Sequence, residues 1–420
     1  MSLLALDIGS SSIKAAILRG AELTAEPPRY FYATRHDGPR AEVDPDVLLA
    51  TISQAARDTA AGSSIDAIAL SVMSPAWVAM DSTGRAITPI VTHQDRRSVV
   101  QAKEIEAKVG KERHLQLAGN RPIPGGISST TYAWFKPQLQ NADLIGHLNT
   151  FLIRRWTGNR VIDPGNASFT GFFSTLDQSG WCDELCCAVG ISRALLPDIL
   201  SSNQIAGRLN ASAAKELALP QGTPVFTGAI DTSAAMLATG AAVGQLFHMC
   251  GSTDVLALCT DRPKPNERLL TRALGIGRRW MSVSTIAAAG SSLDWIRREM
   301  FRDMSEHDFQ QLAGRAEKSA VKFDPYLAGD RMTIDQPSAS FSNLTLSATR
   351  NDMLGALVTA LAEASSARLG LFPPDILPTV FISGGGAFLA DMMHRGWPGS
   401  CVYREIDEAS LRGLWSLTLS

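Results

Sequence analysis

Two short apolar runs with a polar turn between them open the chain. Leu3–Leu6 and Ile13–Leu18 are apolar, and the segment between them holds Asp7, Gly9 and three serines. The pattern predicts two strands joined by a tight turn. Such a turn presents N–H groups and hydroxyls to an anion, and a nearby carboxylate can hold a divalent cation. An ordinary hairpin turn has the same composition, so both interpretations stay open for this stretch alone.

Helices and strands alternate through the rest of the first half of the chain. The helical period predicts helices at 46–61, 97–109, 130–139, 147–156, 185–189 and 212–217. Alternation and β-branched residues predict strands at 65–72, 77–80, 87–91 and 223–230. Glycine, proline and polar residues predict irregular segments at 119–129 and 158–175. Asp44 or Asp46 could cap the first of these helices, with Pro45 near its start.

An acid stands at the end of the last of these strands. Asp231 follows Thr223–Ile230 and opens a predicted helix of small residues that runs to Gly240. Because a helix N-terminus offers free N–H groups to a negative group, Asp231 is a good candidate for function. A plain helix N-cap is the alternative, and this stretch alone favours neither.

The second half of the chain repeats the pattern of the first. Gly244–Met249 and Val255–Cys259 are predicted strands, with Gly251-Ser252-Thr253 in the turn between them. A third glycine turn, Gly384-Gly385-Gly386, follows the predicted strand Thr379–Ile382 and suits close approach to a nucleotide. The repetition predicts two related domains that face each other across a ligand cleft. The other elements predicted in this half are a strand at 279–288 and helices that start at 290 and span 350–369.

Composition and charge exclude several classes of protein. The 420 residues are 45% hydrophobic and 19% charged, which suits a globular protein with large cores, and the length suggests two domains. A net charge of −2 gives no basic field that would attract nucleic acid or an anionic membrane. No apolar run is long enough to span a bilayer, and no basic leader precedes the first strand. We therefore expect a cytoplasmic protein.

The six cysteines raise the question of a metal site. Cys182, Cys186 and Cys187 lie close together in the sequence, but no second group of cysteine or histidine completes four ligands. We therefore expect reduced thiols.

Three glycine–hydroxyl turns, two domains and an acid at a strand end are together far more specific than any single motif. The chain resembles the carbohydrate kinases of the FGGY family, and among them the xylulose kinases, over nearly its full length. The motifs that carry the resemblance are Asp7-x-Gly9-Ser10-Ser11-x-x-Lys14, Gly228-x-x-Asp231, Gly251-Ser252-Thr253, Ala289-Gly290 through Trp295, Pro325-Tyr326-Leu327-x-Gly329-Asp330-Arg331 and Gly384-Gly385-Gly386-Ala387.

The resemblance implies an α/β fold with two ribonuclease H-like (actin-like ATPase) domains flanking a central cleft. An N-terminal FGGY domain at 1–242 would bind the sugar and carry the magnesium-phosphate turn. A C-terminal FGGY domain at 243–420, shortened at its end, would bind the nucleotide. The activity implied is ATP-dependent phosphorylation of a hydroxyl on a small sugar, which could be a ketose such as xylulose or ribulose, a polyol or a sugar acid. ATP and Mg²⁺ would both be required.

The resemblance also implies roles for individual residues. Asp231 would be the general base that takes the proton of the sugar hydroxyl as its oxygen attacks the γ-phosphorus. Asp7 would hold Mg²⁺, with Asp231 as a second metal-site residue. The residues expected to line the nucleotide are Ser10, Ser11, Ser12, Lys14, Gly251, Ser252, Thr253, Gly290, Asp294, Gly385, Gly386, Ala387 and Ala390. Those expected to contact the sugar are Ser74, Pro75, Trp77, His93, Asp95, Asp231 and Thr232.

The sugar pocket departs from the family pattern. Ser74-Pro75-Ala76 stands where many xylulose kinases have Met-His-Gly, so an imidazole able to bond a sugar hydroxyl is missing. His93 stands where a tryptophan often stacks on the substrate, and Thr232 where an amide is common. Trp77 could replace that tryptophan or could belong to the core. The phosphate motifs match while the sugar pocket is altered, so xylulose itself is not predicted as the substrate.

Two other functions remain open on the same fold. One is a catalytically impaired protein that senses sugar or nucleotide, although retention of Asp7 and Asp231 argues against it. The other is a different actin-like ATPase, such as a chaperone-type nucleotide domain. The Gly-Ser-Thr turn that follows Asp231 by twenty residues favours the sugar kinases. The expected partner is a small-molecule sugar rather than nucleic acid or membrane. Family members are often homodimers, but no stretch of this sequence identifies an interface.

Overall fold

The computed structural model describes residues 1–384 and 386–419. These residues form two compact units. The first contains 1–243, 259–281 and the residues from 408 onward, and the second contains 244–258 and 282–407. The sequence divides the chain between 242 and 243, which is one residue from the first break. The segments 259–281 and 408 onward lie in the first unit, although the sequence assigns them to the C-terminal domain.

Specific contacts hold these two segments in the first unit. Trp280 Nε1 donates a hydrogen bond of 2.6 Å to the carbonyl oxygen of Thr175, and the Glu408 carboxylate pairs with Lys14. Such long-range contacts leave no local pattern in the sequence. The assignment of sugar to one domain and nucleotide to the other stays a prediction.

The strands are short and number 23 in the described residues. They are β1 (Leu3–Ile8), β2 (Ser12–Arg19), β3 (Glu22–Leu23), β4 (Arg29–Phe31), β5 (Arg35–Asp37), β6 (Arg40–Val43), β7 (Ala67–Val72), β8 (Ala76–Met80), β9 (Ile90–Thr92), β10 (Leu144–His147), β11 (Val161–Ile162), β12 (Asp198–Ile199), β13 (Ile205–Arg208), β14 (Pro224–Phe226), β15 (Ala229–Ile230), β16 (Leu246–Cys250), β17 (Asp254–Thr260), β18 (Leu270–Ala273), β19 (Trp280–Ile286), β20 (Lys322–Asp324), β21 (Ser340–Ser342), β22 (Thr379–Ser383) and β23 (Val402–Glu405).

The α-helices range from one turn to more than five turns. They are α1 (Pro45–Ala60), α2 (Val99–Val109), α3 (Lys111–Ala118), α4 (Ser128–Phe135), α5 (Leu148–Thr157), α6 (Pro164–Ser168), α7 (Asp183–Val189), α8 (Ala211–Leu217), α9 (Asp231–Ala238), α10 (Gly290–Met300), α11 (Glu306–Gly314), α12 (Arg350–Leu369), α13 (Gly386–Met393) and α14 (Ala409–Gly413). Short 3₁₀ turns span Lys136–Gln138, Arg193–Leu195 and Leu414–Thr418.

In the first unit, β1 lies in the middle of the main sheet. The order is β13, β14, β7, β1, β2 and β3, with β15 also on β7 and β4 on β2. β1 runs antiparallel to β2 and parallel to β7. Residues 3–6 of β1 are fully buried, as expected for a strand whose two faces are both covered. A second sheet has the order β10, β8, β9, β6 and β5.

The second unit contains the same local arrangement. β16 runs antiparallel to β17 and parallel to β22, and β23 extends the sheet beyond β22. Each unit therefore has a hairpin with a parallel strand beside the first strand of that hairpin. This is the internal repetition that the sequence predicts. Ile296, Phe301, Leu357 and Leu361 are fully buried in the apolar core that α10, α11 and α12 form.

Most predicted elements are present, with ends that shift by a few residues. Asp44 caps α1, since its Oδ1 accepts hydrogen bonds from Asp46 N at 2.8 Å and Val47 N at 3.2 Å. α12 has the predicted bounds. The segment 158–175 is not irregular throughout, because β11 and α6 lie within it. β10 directly precedes α5, where no strand was expected.

The sequence also leads to expectations about membrane-spanning helices and about the state of the cysteine thiols. Among the described residues, no helix combines the length and the apolar character needed to cross a membrane. All six cysteines are free thiols, as the sequence predicts.

Candidate active site

The hairpin of β1 and β2 sets Asp7 directly opposite Lys14. On the neighbouring strand β7, the Ser71 hydroxyl donates a hydrogen bond of 2.7 Å to Asp7 Oδ1. Burial raises the pKa of the Asp7 carboxyl to about 7; Ser71 and Lys14 oppose this rise, whereas the charges of Asp231 and Glu408 add to it. Asp7 and Asp231 are thus close enough for their charges to interact. Their role in metal binding stays a prediction.

The ammonium group of Lys14 contacts a carboxylate that lies far away in the sequence. Lys14 Nζ is 2.7 Å from Oε1 and 2.6 Å from Oε2 of Glu408. Both side chains are partly buried, with exposed fractions of 20% and 21%. The sequence predicts Lys14 at the phosphates. An incoming phosphate would compete with Glu408 for this cation.

Main-chain contacts and one tyrosine hold the turn between β1 and β2. Gly9 N donates to Ser12 O at 3.0 Å, and Tyr32 N donates to Ser11 O at 3.3 Å. The Tyr32 hydroxyl also donates to the carbonyl oxygen of Gly9. Ser10, Ser11 and Ser12 are exposed or partly exposed. The three residues predicted to line the nucleotide therefore remain accessible in a turn whose shape does not depend on their hydroxyls.

Asp231 is the first residue of α9. Its preceding residue, Ile230, is the N-cap, so the alternative of Asp231 as a plain N-cap was wrong. Asp231 Oδ1 accepts hydrogen bonds from Thr232 N at 2.5 Å and from Thr232 Oγ1 at 3.1 Å. The backbone that leads into Asp231 requires glycine at position 228. Gly228 has a φ of +82°, and a Cβ added there would lie 2.7 Å from the carbonyl oxygen of Leu70. That glycine divides the predicted strand into β14 and β15.

Arg272 on β18 belongs to this site and was missed by the sequence analysis. Its Nη2 donates a hydrogen bond to Thr232 Oγ1, and its guanidinium carbon lies 5.4 Å from the centre of the Phe169 ring. Burial lowers the pKa of Arg272 to about 10, and the neighbouring charge of Asp231 opposes that fall. A single cation inside a short apolar strand is the signal that could have identified it.

A buried polar network surrounds α6. The Asp163 carboxylate accepts hydrogen bonds from Asn166 Nδ2 at 2.6 Å and Asn166 N at 3.0 Å, and burial raises its pKa to about 6. His147 Nδ1 lies 3.2 Å from Asn166 Oδ1, and its Nε2 lies 2.5 Å from Ser128 Oγ. These polar residues resemble a loop in the sequence, but here they fill the interior of the first unit.

Two of the residues predicted to contact sugar follow β7. Ser74 and Pro75 are joined by a cis peptide bond. The Ser74 hydroxyl oxygen is buried and has no hydrogen-bond partner in the part of the chain that the structure describes. Trp77 is buried on β8 and stacks on Phe135 with ring centres 5.3 Å apart. That packing favours the core alternative for Trp77.

Asp95 has strong partners within the protein. Its carboxylate accepts a hydrogen bond of 2.8 Å from Ala41 N and lies 2.6 Å from Arg97 Nη2, which is also 2.6 Å from Glu42. These contacts hold the segment after β9 in place. His93, two residues before Asp95, is partly exposed. Contact of either residue with a sugar stays a prediction.

In the second unit, the predicted nucleotide turns come together. Gly290 N donates to Gly251 O at 3.0 Å, and Ala289 N donates to Ser252 O at 2.9 Å. A Cβ added to Gly290 would lie 2.8 Å from Gly251 O, and one added to Gly384 would lie 2.8 Å from the carbonyl oxygen of Cys250. Glycine is therefore needed for the backbones of these three turns to approach so closely.

The other predicted nucleotide residues differ in their positions. Thr253 Oγ1 donates to Ala287 O at 3.2 Å. Asp294 is exposed on α10, and Ala390 is buried in α13. The backbone of Gly386 and Ala387 forms the first residues of α13. Gly385 lies outside the described residues.

A buried ionic cluster lies beneath the turn at Gly251. His248 Nε2 lies 2.5 Å from Asp254 Oδ2, and Arg368 pairs with the same carboxylate. Although burial opposes ionisation, His248 and Arg368 hold the pKa of Asp254 below its usual range. The Cys250 thiol is also in contact with His248. These groups could ligate a metal ion, but Arg368 already neutralises Asp254, so we interpret them as a support for the turn.

One cavity lies elsewhere in the first unit. Its volume is about 1000 Å³, and residues of β6, α1 and α5 and the segment 85–89 line it. None of the predicted site residues lines this cavity. It therefore does not guide the assignment of the active site.

Residues 2–238 match the family described as the FGGY family of carbohydrate kinases, N-terminal domain. The chain belongs to this family. Its relatives include the xylulose kinase of Staphylococcus xylosus, at 22% identity over 91% of this chain and 82% of that protein. They also include the gluconokinase of Bacillus subtilis, at 25% identity over 84% of this chain and 73% of that protein.

The solved structures agree with the fold expected for this FGGY kinase. The crystal structure of xylulose kinase from Rhodospirillum rubrum has a TM-score of 0.85, with 21% identity, and the match covers 100% of this chain and 92% of that chain. This likeness supports the predicted fold of two actin-like, ribonuclease H-like domains. As a member of this family the chain is a phosphotransferase with an alcohol group as acceptor, and ATP is the implied phosphoryl donor.

Proposed function

We propose that this FGGY kinase transfers the γ-phosphoryl group of ATP to a hydroxyl of a small ketose, polyol or sugar acid, with Asp231 as the general base. One observation carries the proposal. The Asp231 carboxylate stands at the start of α9, is oriented by Thr232 and lies within electrostatic reach of Asp7. A carboxylate fixed in this way can accept a proton at the moment when a neighbouring hydroxyl becomes a nucleophile.

The proposed reaction is a single displacement. The hydroxyl oxygen of the acceptor forms a bond to the γ-phosphorus, the bond to the β–γ bridging oxygen breaks, and ADP leaves. Asp231 receives the hydroxyl proton. Thr232 donates two hydrogen bonds to Oδ1 of this carboxylate and so fixes its orientation. Most of the rate enhancement in such transfers comes from positioning and from stabilisation of charge.

The donor set beside Asp231 suits Mg²⁺, which prefers oxygen ligands and keeps several waters. Asp7 and Asp231 supply two carboxylates, and the raised pKa of Asp7 is the expected result of placing a buried acid near a second negative charge. We propose that these two residues hold Mg²⁺, which would neutralise phosphate charge when bound. Ser71 orients the Asp7 carboxylate through its hydrogen bond to Oδ1.

We assign nucleotide binding to the second unit. The turns at Gly251, Gly290 and Gly384 lie against one another with no room for a Cβ at Gly290 or Gly384 without displacement of a carbonyl group. Exposed main-chain N–H groups in such turns can bind phosphate oxygens closely. The proposal predicts that a methyl group at Gly290 weakens ATP binding.

The test is an Asp231→Asn variant measured by acceptor-dependent ADP release. We expect kcat to fall by about 1000-fold, within the range for loss of a general base, while ATP binding is retained. Asp37→Asn, an exposed acid on β5, is the matched control and should retain full activity. The wild type should be assayed with xylulose, ribulose, glycerol, xylitol and gluconate.

Two results would contradict the proposal. If Asp231→Asn retained wild-type kcat, Asp231 would not be the base. If the wild type turned over none of these acceptors but bound one of them in calorimetry, the sensing function would replace the kinase.

A further inference from the structure

Arg272 is a buried cation that makes no direct ion pair with a carboxylate in the described residues, although the charges of Asp231 and Asp163 act on it through space. The residue is 4% exposed, and its direct polar contacts are with uncharged groups. Its Nη2 donates to Thr232 Oγ1 and lies 3.9 Å from Met281 Sδ, whereas its Nε is buried without a hydrogen-bond partner. Burial of a charge that lacks a directly bonded counter-ion is costly, so a further partner is expected for this guanidinium.

Two other buried arginines show how this protein ordinarily satisfies such a group. The side chain of Arg97 is 4% exposed and contacts the carboxylate of Asp95. The side chain of Arg368 is 7% exposed and pairs with Asp254. Arg272 differs from both, since its nearest strong partner is a hydroxyl. The carboxylates of Asp231 and Asp163 act on Arg272 only through space, so its buried Nε N–H remains available to an anion from outside the chain.

The surroundings of Arg272 hold it in one orientation. Thr232 accepts its hydrogen bond and donates one to Asp231, so the guanidinium and the proposed base share a single hydroxyl. The Phe169 ring lies under the guanidinium at 5.4 Å. A planar guanidinium with free N–H groups binds a carboxylate or a phosphate through two parallel hydrogen bonds. An anion bound here would lie next to the hydroxyl that Asp231 activates.

We propose that Arg272 binds an oxyanion of the reacting molecules beside Asp231, and that this oxyanion is the carboxylate of a sugar acid. The inference rests on the proposed function. It narrows the acceptor from a small ketose, polyol or sugar acid to a sugar acid, an aldonate. A buried guanidinium favours such a substrate because the acceptor's carboxylate can bond to it directly, whereas a neutral sugar leaves it without a directly bonded counter-ion. The transferred phosphoryl group is the second source of an oxyanion at this position.

The experiment compares matched pairs of acceptors that differ in the carboxylate. Xylonate is compared with xylitol, and gluconate with glucitol, for the wild type and for Arg272→Met and Arg272→Lys. We expect the wild type to prefer the acid in each pair by about 100-fold in kcat/KM. Arg272→Met should lose most of that preference through a rise in KM for the acids. Arg272→Lys should restore part of it because the charge is kept.

Arg278→Met is the control, because Arg278 is exposed and lies six residues further along the chain. It should keep the preference of the wild type. Thermal unfolding of each variant separates loss of fold from loss of binding. Calorimetric titration of gluconate without ATP provides a second measure that does not depend on turnover, and we expect heat of binding for the wild type and none for Arg272→Met.

The outcomes separate this inference from the proposed function. Binding of gluconate that requires Arg272, with no turnover of any acceptor, would support the sugar-acid site and overturn the kinase reaction. Turnover of xylulose or xylitol, with neither binding nor turnover of the acids, would support the kinase reaction and overturn the sugar-acid site. If Arg272→Met lowered kcat equally for acids and neutral acceptors at constant KM, the oxyanion would be the phosphoryl group and the sugar-acid assignment would be wrong.

Discussion

His147 is a histidine that burial keeps uncharged. It is fully buried between Ser128 and Asn166, and the loss of hydration lowers its pKa to about 4. The neutral ring donates from Nδ1 to Asn166 Oδ1 and accepts from Ser128 at Nε2. Because Asn166 also bonds Asp163, a charge on His147 would disturb the network that supports α6 and, beyond it, Phe169 under Arg272.

The pH dependence of stability should report on this residue. The unfolded chain binds a proton at His147 below about pH 6.5, whereas the folded chain resists it until about pH 4, so stability from this group is present above 6.5 and is lost as pH falls through 4. Between pH 7.5 and 5.0 the loss is about 2 kcal/mol. Denaturant unfolding of the wild type and of His147→Asn at both pH values gives the free energy of unfolding of each. The difference between the two free energies should be smaller at pH 5.0 than at pH 7.5 by that amount.

His36→Asn is the control for this experiment, since His36 is exposed on β5. It should not change the pH dependence. A difference between the wild type and His147→Asn that is the same at both pH values would contradict the assignment of a neutral buried ring.

At the scale of elements, the packing of α14 on α9 determines where Asp231 stands. Gly413 at the end of α14 lies against the main chain of Ala234 in α9, and an added Cβ would overlap the carbonyl oxygen of Ala234. The φ of Gly413 is −66°, so its need for glycine comes from the close approach of two helices and not from its backbone angles. A side chain at this position would push α14 away from the helix that begins with Asp231.

Gly413→Ala should therefore destabilise the first unit by about 2–3 kcal/mol, the usual cost of forcing an extra methyl group into a packed contact. We expect kcat to fall as well, because α9 carries the proposed base. Thermal unfolding and initial rates measure the two effects. Gly399→Ala has no atom within 4 Å of the new Cβ and should match the wild type; equal behaviour of the two variants would exclude the packing argument.

The sequence predicts elements well where one local period governs them. Local apolar patterns that agree with the tertiary contacts occur in β1 and β2, in α12 and in the hairpin around Gly251. α6 and β11 were missed because buried polar residues such as Asp163 and Asn166 look like loop residues unless their partners are known. Arg272 and Glu408 were missed at the site for a similar reason, since each acts through contacts with residues distant in the sequence.

At the scale of the molecule, the first unit is built from three separate segments of chain. The family match covers residues 2–238, which lie in the first segment. The segment 259–281 adds Arg272, and the segment from 408 adds Glu408 and α14. Lys14 and Glu408 pair across 394 positions of sequence. The proposed catalytic residues therefore depend on parts of the chain on both sides of the second unit.

Glu408→Gln tests the ion pair that joins these distant segments. Removal of the carboxylate charge frees Lys14 for phosphate oxygens, so we expect KM for ATP to fall by up to about fivefold, since a partly exposed pair contributes about 1 kcal/mol or less. Steady-state kinetics with ATP as the varied substrate measure the change. Glu405→Gln, an exposed acid on β23, is the control, and a rise in KM for Glu408→Gln would show that the pair assists phosphate binding instead.

The position of α14 also has a consequence for synthesis on the ribosome. Asp7 and Asp231 emerge early, but the glycine contact that fixes α9 and the carboxylate that pairs with Lys14 emerge only after the whole second unit has been translated. A nascent chain halted at residue 407 would contain both proposed metal-site acids but would still lack α14, which packs against α9. We therefore expect the nascent chain to gain activity only after α14 has been translated.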